Sequence, residues 1–474
     1  DTSFCKYPIK MDHSRVNQTT SDHSISPSSW IYFGLCVITV VDAFLQNDFL
    51  AQIGVSLIVL FMALEFRRVP MPQKISATVL VVLAVAMAGL SGQWDEIIIE
   101  GISRARIFLI LFFAIAWLQF PVKESPSLNA VRSNIVSRPP GRRYLFLTSG
   151  VHILGSVLNL AGLSLLTTIV ERQKQFSEKR RLSVALMQGF TTASCWSPFY
   201  IGMIVVLISI PGVTWLELAP AGGVMGVCAL MTGWAYDRMV LRTSRADPVL
   251  DRPSPVSRRH LAAAAFILCS LVGLAMVMVE LSGTNIPVTL SIMGPVFALI
   301  WYGLIHSTEG SRLEKYRLLS FNVVRSLSTY RNEVLLFSAA NMFGAGMAVV
   351  LPSGDMSAAL NNLVPWPDAK IILLMVTFLV ASAVGLHPII VVIAVSAVFP
   401  PSSLGLDDRI MALALVGAWG VSTMVSPFSG TTLFMSRVAN VPGHVIGWCW
   451  SPPMVLITIS VITLYVIGLR NLFT

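Results

Sequence analysis

Residues 422–434, STMVSPFSGTTLF, lie deep inside an apolar segment yet carry serines, threonines, a proline and a glycine. Residues 191–203, TTASCWSPFYIGM, place Ser-Pro-Phe at the same point of their own hydrophobic run. Proline removes a backbone donor and clashes with the preceding turn, and glycine loosens the backbone further. Both stretches therefore read as helices broken part-way. In hydrocarbon such a break is tolerated only where the freed N–H and C=O groups face protein or a water-filled cavity. The two stretches thus predict two buried polar interruptions in a chain otherwise built for lipid.

Composition agrees. Of the 474 residues, 55% are hydrophobic and 12% charged, with a mean hydropathy of +0.73, well above the apolar share of soluble domains. The chain reads as an all-α polytopic membrane protein whose principal partner is the lipid bilayer. Lys and Arg number 33 against 24 Asp and Glu, a net charge of +9. The basic residues fall in short loops between apolar runs, which is a topology signal and argues against nucleic acid. The six cysteines include Cys5 in the N-terminal tail and Cys36, Cys195, Cys228, Cys269 and Cys449 in apolar segments, without metal-site spacing. No metal beyond Na+ and no other cofactor is expected. Residues 1–29 are polar, lack the order of a signal peptide and read as a disordered cytoplasmic tail.

A spanning helix needs roughly 20 apolar residues, and loop charge orients it. Residues 30–45 and 49–66 make a first hairpin ending at Arg67, Arg68 and Lys74, which puts that side and the N-terminus in the cytoplasm of a cell (inner) membrane protein. Residues 75–90 cross to an acidic turn at Asp95, Glu96 and Glu100, and 107–120 return to a loop with Lys123, Arg132, Arg138, Arg142 and Arg143. Residues 144–170 are long enough to span, yet the following ERQKQFSEKRR is basic as well. The economical reading is a re-entrant helical hairpin turning near 156–162; a single span violating the charge rule is the alternative. The broken helix 182–210 and the span 215–236 follow. Residues 237–260, with six arginines from 237 to 259, read as a basic cytoplasmic linker. Then come spans 261–281 and 286–304, an amphipathic interfacial helix over 311–331 and a span at 334–351. A second hairpin over 371–399 is interrupted by Gly385-Leu386-His387-Pro388 and opens outward. The broken helix 410–435 and a last span, 445–469, leave the C-terminus outside.

Residues 30–236 thus hold the N-terminal helices and a first repeat, and 261–474 a second. The expectation is about 11 transmembrane helices plus two re-entrant hairpins and two broken helices, arranged as an inverted repeat. Paired breaks in corresponding positions point to a transporter's binding site near the bilayer midplane.

The order hairpin, broken helix, closing helix, given twice, resembles the ion transporter superfamily, most closely the divalent anion:sodium symporter fold. That family carries Ser-Asn-Thr at each hairpin tip and a Thr-Pro-Pro-like element in each broken helix. Leu158-Asn159-Leu160 and Leu386-His387-Pro388 occupy the tips here, and Ser197-Pro198-Phe199 and Ser426-Pro427-Phe428 the breaks. The resemblance covers roughly residues 107–469 by architecture and implies an elevator-type carrier, a homodimer, with Na+ and substrate held at tips and breaks.

Among individual residues, Asn159 in hydrocarbon must have partners, either as a helix cap or as a contact to substrate or ion. His387 is titratable within the membrane, where such residues are rare and usually functional; a histidine bonded to a backbone carbonyl is the other reading. His152 reads as structural. Thr191, Thr192, Ser194 and Ser197, with Ser422, Thr423, Ser426, Ser429, Thr431 and Thr432, are too dense for a lipid face and line a site or bond between helices. Gly189 and Gly430 are expected to allow close backbone approach, and Trp196 and Trp419 to shape a pocket or to pack. The substrate set is Asn159, Ser156, Thr192, Ser194, Ser197, His387, Thr423, Ser426, Ser429, Thr431 and Thr432; the ion set is Asn159, Ser156, Ser197, Ser422 and Ser426. No acidic residue falls in a tip or a break, so helix N-termini and His387 favour a small anionic substrate. A secondary-active carrier for an organic anion, driven by Na+ or H+, is the leading expectation. A cation/proton antiporter and a channel-like or sensory protein are the alternatives. No nucleophile elbow, Walker A loop, HExxH or haem motif is present, so an enzyme is not expected.

Overall fold

A computed structural model describes residues 24–136, 140–241, 257–307 and 311–473. Residues 1–23 of the expected tail, Arg138 of the loop before the first hairpin and 242–256 of the expected linker lie outside the described residues.

The described chain is helical throughout. α1 (Pro27–Leu45) and α2 (Asp48–Glu65) form a hairpin, α3 (Met71–Ser91) crosses next, and a π-helical turn (Asp95–Glu100) leads into α4 (Gly101–Glu124). After α5 (Pro126–Val136) come α6 (Pro140–Leu158), α7 (Leu160–Leu166) and α8 (Thr168–Glu171), then α9 (Phe176–Thr191), α10 (Ile201–Ser209) and α11 (Trp215–Tyr236). The second half runs α12 (Arg258–Ser282), α13 (Ile286–Ile305), α14 (Arg312–Ser326), α15 (Arg331–Val350), α16 (Ser353–Leu363), α17 (Pro367–Ala383) and α18 (Pro388–Val398). It closes with α19 (Asp408–Ser422), α20 (Gly430–Ala439) and α21 (Pro452–Phe473).

Local chemistry sets the boundaries. Ser26 caps α1, whose first residue is a proline, and Asn47 Oδ1 accepts the Phe49 N–H at 2.9 Å to start α2. Pro at the first helical position and Asx or Ser caps satisfy or remove orphan N–H groups. Such bookkeeping matters most in lipid, where an unpaired backbone group finds no water.

Among the described residues nine helices are long and apolar enough to cross a membrane, or ten if α16 and α17, bent by 107°, count as one. The expected count of about eleven included the two broken helices. These exist only as pieces of 16 and 9 residues (α9, α10) and of 15 and 10 residues (α19, α20), so neither piece alone reaches spanning length. The asymmetry of burial separates lipid-facing from central helices. In α12 17% of the apolar window is buried, whereas in the helix containing α4 78% is. α4 is the central column, packed on α13 and α15, and α15 in turn packs on α3 and α18.

The amphipathic stretch expected as a separate interfacial helix over 311–331 is not a separate element. α14 passes through a 3-10 turn (Leu327–Tyr330) directly into α15, and Leu313–Val350 runs as one helix of 38 residues. At 1.5 Å per residue that is about 57 Å, against roughly 30 Å of hydrocarbon, so its first part extends past the apolar layer. Leu319, Val323 and Leu327 of that part are buried, which explains the alternating apolar and basic pattern without a lipid surface. Where α14 meets α15, the buried carboxylate of Glu65 accepts from Ser28 Oγ (2.6 Å), Arg68 (2.9 Å) and Arg331 (2.6 Å), tying α1, α2 and α15 together. Removing one partner of such a buried group leaves an uncompensated charge.

Both expected hairpins are sharp reversals or bends from a longer helix into a shorter one. α6 ends at Asn159, whose backbone is left-handed in φ (52°), and α7 folds back onto α6. That approach depends on Gly162, where a Cβ would stand 2.4 Å from the Leu154 carbonyl oxygen. α17 ends at Gly385 (φ 96°), with Gly385 N–H donating to Ser382 O and Leu386 N–H to Ala381 O, both at 2.9 Å. A glycine in this conformation closes a helix by satisfying its last carbonyls.

Candidate functional site

The first hairpin tip and the first break are joined by a repair of their backbone hydrogen bonds. In a continuous helix Leu160 N–H would donate to Ser156 O. At the tip it donates instead to Asn159 Oδ1 at 2.9 Å, so Asn159 caps α7. The freed Ser156 carbonyl accepts the Ser197 hydroxyl from the Ser-Pro-Phe break, and Ser197 Oγ itself accepts the Phe199 N–H at 3.2 Å. Ser156 Oγ donates to Ile153 O. Asn159 is half-buried; Ser156 and Ser197 are buried.

Beside this junction lies a satisfied histidine. His152 Nε2 accepts the Trp196 indole N–H at 2.9 Å, while Nδ1 lies 3.1 Å from Thr192 Oγ1 and 3.2 Å from Gly189 O. An indole N–H only donates, so Nε2 carries the lone pair and Nδ1 the proton. The ring is a neutral connector between α6 and the end of α9, and Trp196 is its fixed donor. Thr192 Oγ1 also donates to Gln188 O at 2.9 Å, and a Cβ at Gly189 would come within 2.4 Å of Thr148 O, the close approach expected there.

The second tip and break follow the same logic with different residues. His387 caps α18, its Nδ1 accepting the Ile389 N–H at 3.3 Å, which leaves Nε2 as the side that faces other groups. Its ring stands 5.8 Å from Trp419 and 6.3 Å from Phe337. Residue 427 is proline, so Thr423 O has no helical donor. Ser429 Oγ supplies one at 2.7 Å and Thr432 Oγ1 approaches at 3.4 Å, while Ser429 Oγ accepts the Thr432 N–H to cap α20. Ser422 and Thr423 hydroxyls donate back to Trp419 O (3.1 Å) and Gly420 O (2.6 Å). Ser426 and Thr431, buried at 2% and 6% exposure, make no side-chain hydrogen bond among the described residues. Phe428 lies over Gly385 of its own hairpin tip. Gly430 departs from expectation: nothing lies within 4 Å of the Cβ it lacks, so it admits no close approach.

The two breaks cross. Ser194 Oγ donates to Val416 O at 3.0 Å, and a Cβ at Gly420 would stand 2.0 Å from Thr191 O and 2.1 Å from Ser194 Oγ. Trp419 is almost fully buried, with Gly202 against its indole and the His387 ring meeting it edge to face. The sequence-predicted residues therefore form one band: Ser156, Thr192, Ser194 and Ser197 on the first side, and His387, Ser422, Thr423, Ser426, Ser429, Thr431 and Thr432 on the second. Asn159 reaches the band only through its backbone neighbours.

Beside the second tip a cavity of about 20 Å³ is lined by His387, Pro388, Gly385, Ser426, Phe428 and Ser429 from the repeat, and by Pro72, Gln73, Ser76 and Leu336 from α3 and α15. The N-termini of α18 and α20 both reach it. Gln73 was not singled out by sequence; its Nε2 donates to Phe428 O at 3.4 Å and its buried Oε1 has no partner among the described residues. Its position, two residues into an apolar helix, carried no periodic signal. Glu333 was also missed. It lies one turn before Leu336 on α15, and its Oε2 is buried without a partner among the described residues.

No family model matches the chain, and no curated protein matches it. Among solved structures it is similar to the YdaH transporter of Alcanivorax borkumensis, described as having an unusual topology, with a TM-score of 0.52 and 13% identity over 84% of this chain and 99% of that chain. What they share is the fold. The chain is an all-α polytopic membrane protein of transporter fold, with hairpin, broken helix and closing helix in each half. At 13% identity the likeness extends no further than that.

Proposed function

We propose that the chain is a secondary-active carrier for a small organic anion, moved by elevator-type alternating access and coupled to Na+ or H+. The observation that carries this reading is the pair of helix N-termini, α18 at His387-Pro388 and α20 at Ser429-Gly430, that reach one cavity whose lining contains no carboxylate. Helix N-termini offer N–H groups and a positive dipole end to an anion. The likeness to a transporter fold supports transport in general. The repeated hairpin and break support an inverted-repeat member of the ion transporter superfamily, closest to the divalent anion:sodium symporters, although neither tip carries Ser-Asn-Thr.

In this conformation the cavity has room for about one water-sized group. An organic anion therefore enters only when the second tip and break shift away from Gln73 and Leu336, which is the motion an elevator supplies. Oxygens of Asn159, Ser156, Ser197, Ser422 and Ser426 are the proposed Na+ ligands, and Thr192, Ser194, Thr423, Thr431 and Thr432 complete the substrate band. The N-terminus belongs in the cytoplasm and the C-terminus outside, in the cell membrane, with a homodimer as the working unit and no enzymatic step.

A cation/proton antiporter is the second reading, favoured by Glu333, a carboxylate within a span whose Oε2 has no partner among the described residues. Proteoliposome uptake separates the two. Uptake of labelled organic anions driven by an inward Na+ or proton gradient, with counterflow when unlabelled anion is inside, supports the carrier. Proton-driven cation flux with no anion competing supports the antiporter and overturns it.

A further inference from the structure

A second cavity lies away from the hairpin tips. About 440 Å³ in volume, it lies where α4 begins and α10, α15 and α18 end, lined by Arg106, Asp42, Arg104, Glu100 and Asn341 among apolar groups such as Phe108 and Ile393. Pockets of roughly 300–1,000 Å³ with a few convergent polar groups are the usual size for small-molecule sites.

Its charges come in two opposed pairs. Arg106 Nη1 donates to Asp42 Oδ2 at 2.9 Å, both side chains being nearly buried, and Arg104 Nε donates to Glu100 Oε1 at 3.3 Å at the rim. Arg106 is held from behind, with Nε on Ser103 O (3.1 Å) and Nη2 on Ser103 Oγ (2.8 Å). A guanidinium has five N–H donors, so these three bonds leave two unassigned. On the acceptor side, Asn341 Nδ2 is used by Phe337 O at 2.8 Å, which leaves its Oδ1 unbonded among the described residues. The lining thus offers fixed donors and acceptors, and its four charges cancel. A simple anion would bring an unbalanced charge against Asp42 and Glu100; a ligand carrying both signs would not.

We propose that this cavity binds a small zwitterion with an apolar body, its carboxylate on the free N–H groups of Arg106 and its ammonium toward Asp42, Glu100 and Asn341 Oδ1. The cavity and the hairpin-tip site share two walls. α18 carries Pro388 at the tip and Ile393 in the cavity, five residues or about 7.5 Å apart along the helix. α15 carries Leu336 at the tip and Asn341 in the cavity. The cavity is therefore placed as an outer station on the path to the tip, an assignment of role that rests on the carrier reading; binding itself does not.

The test uses the purified full chain and three probes of one shape: L-leucine, 4-methylpentanoate (no ammonium) and 3-methylbutylamine (no carboxylate). Leucine is expected to raise thermal stability saturably, with each single-charge probe about tenfold weaker or more. Ala348→Trp, which fills the exposed wall and leaves both ion pairs intact, is expected to abolish the leucine effect; Arg106→Lys, which keeps the charge and loses the fork, is expected to weaken it. Equal effects of leucine and 4-methylpentanoate, no effect of leucine, or a leucine effect that survives Ala348→Trp would each overturn the proposal. Loss of the effect in His387→Ala but not in Ala348→Trp would move the site to the tip. Absence of anion uptake with leucine binding intact would reject the carrier reading and leave the cavity site standing.

Discussion

At the scale of single residues, the candidate site is a set of substitutions for missing helical hydrogen bonds. Pro427 cannot donate to Thr423 O, so Ser429 does; Leu160 N–H turns to Asn159 Oδ1, so Ser197 takes the vacant Ser156 carbonyl. Asn159 and His387 were legible in the sequence as polar groups needing partners, and the structure gives both the same task of capping the second helix of a hairpin. His152 was read as structural, but its donor, Trp196, was not legible, because nothing in the spacing brings an indole from the break onto α6. Trp196→Phe removes the only group that donates to His152 Nε2 among the described residues. It is expected to destabilise the detergent-solubilised protein by about 1–3 kcal/mol, read as a lower midpoint in thermal or denaturant unfolding. Outside the membrane, the Arg409 guanidinium holds the Asp407 carboxyl below the usual carboxylate range, with the Arg409 and Ile410 N–H groups adding to it. A depressed folded value stabilises above the unfolded value and is lost as pH falls through the folded one. Acidification below about pH 4 is therefore expected to narrow the stability gap between wild type and Asp407→Ala. The pair is half exposed, so the gap is small; a gap that widens on acidification would contradict the assignment.

At the scale of elements, the crossing of the two broken helices is the contact on which the band depends. Sequence showed two breaks two hundred or so residues apart, but the face each presents follows from packing. Gly420 is the position that decides it, since Thr191 O and Ser194 Oγ occupy the space of its missing side chain. Gly420→Ala is expected to cost about 1–3 kcal/mol through overpacking against rigid backbone, and to reduce transport along with stability. Gly430→Ala is the internal control: with open space around it, the same change is expected to be neutral or stabilising by a few tenths of a kcal/mol. A matched pair of unfolding curves checks both. The continuous helix of α14 and α15 shows the opposite limit of sequence reading. Its amphipathic first part fits an interfacial helix and a packed helical extension equally well, because both bury one apolar stripe.

At the scale of the whole molecule, the two cavities on α15 and α18 and the carboxylate of Glu333 frame the coupling question. Glu333→Gln removes a proton-binding group one turn from Leu336 of the tip cavity. It is expected to abolish uptake driven by a pH gradient and to leave uptake driven by a Na+ gradient intact, measured in proteoliposomes with each gradient imposed alone; equal pH-driven uptake by mutant and wild type would remove Glu333 from the coupling. What the sequence determined by itself is what hydrocarbon enforces locally: a helical, multi-pass chain, two proline-broken helices and two interrupted hairpins, since every backbone group in lipid must be paired within its own segment or announce its failure with proline, glycine and hydroxyls. What only the tertiary structure decided is which failures meet. The Ser197 hydroxyl on Ser156 O, Ser194 on Val416 O, Gln73 beside His387, and the paired charges of Arg106 and Asp42 join residues 41 or more positions apart, and such contacts are fixed by shape and volume between helices, about which periodicity along one helix carries no information.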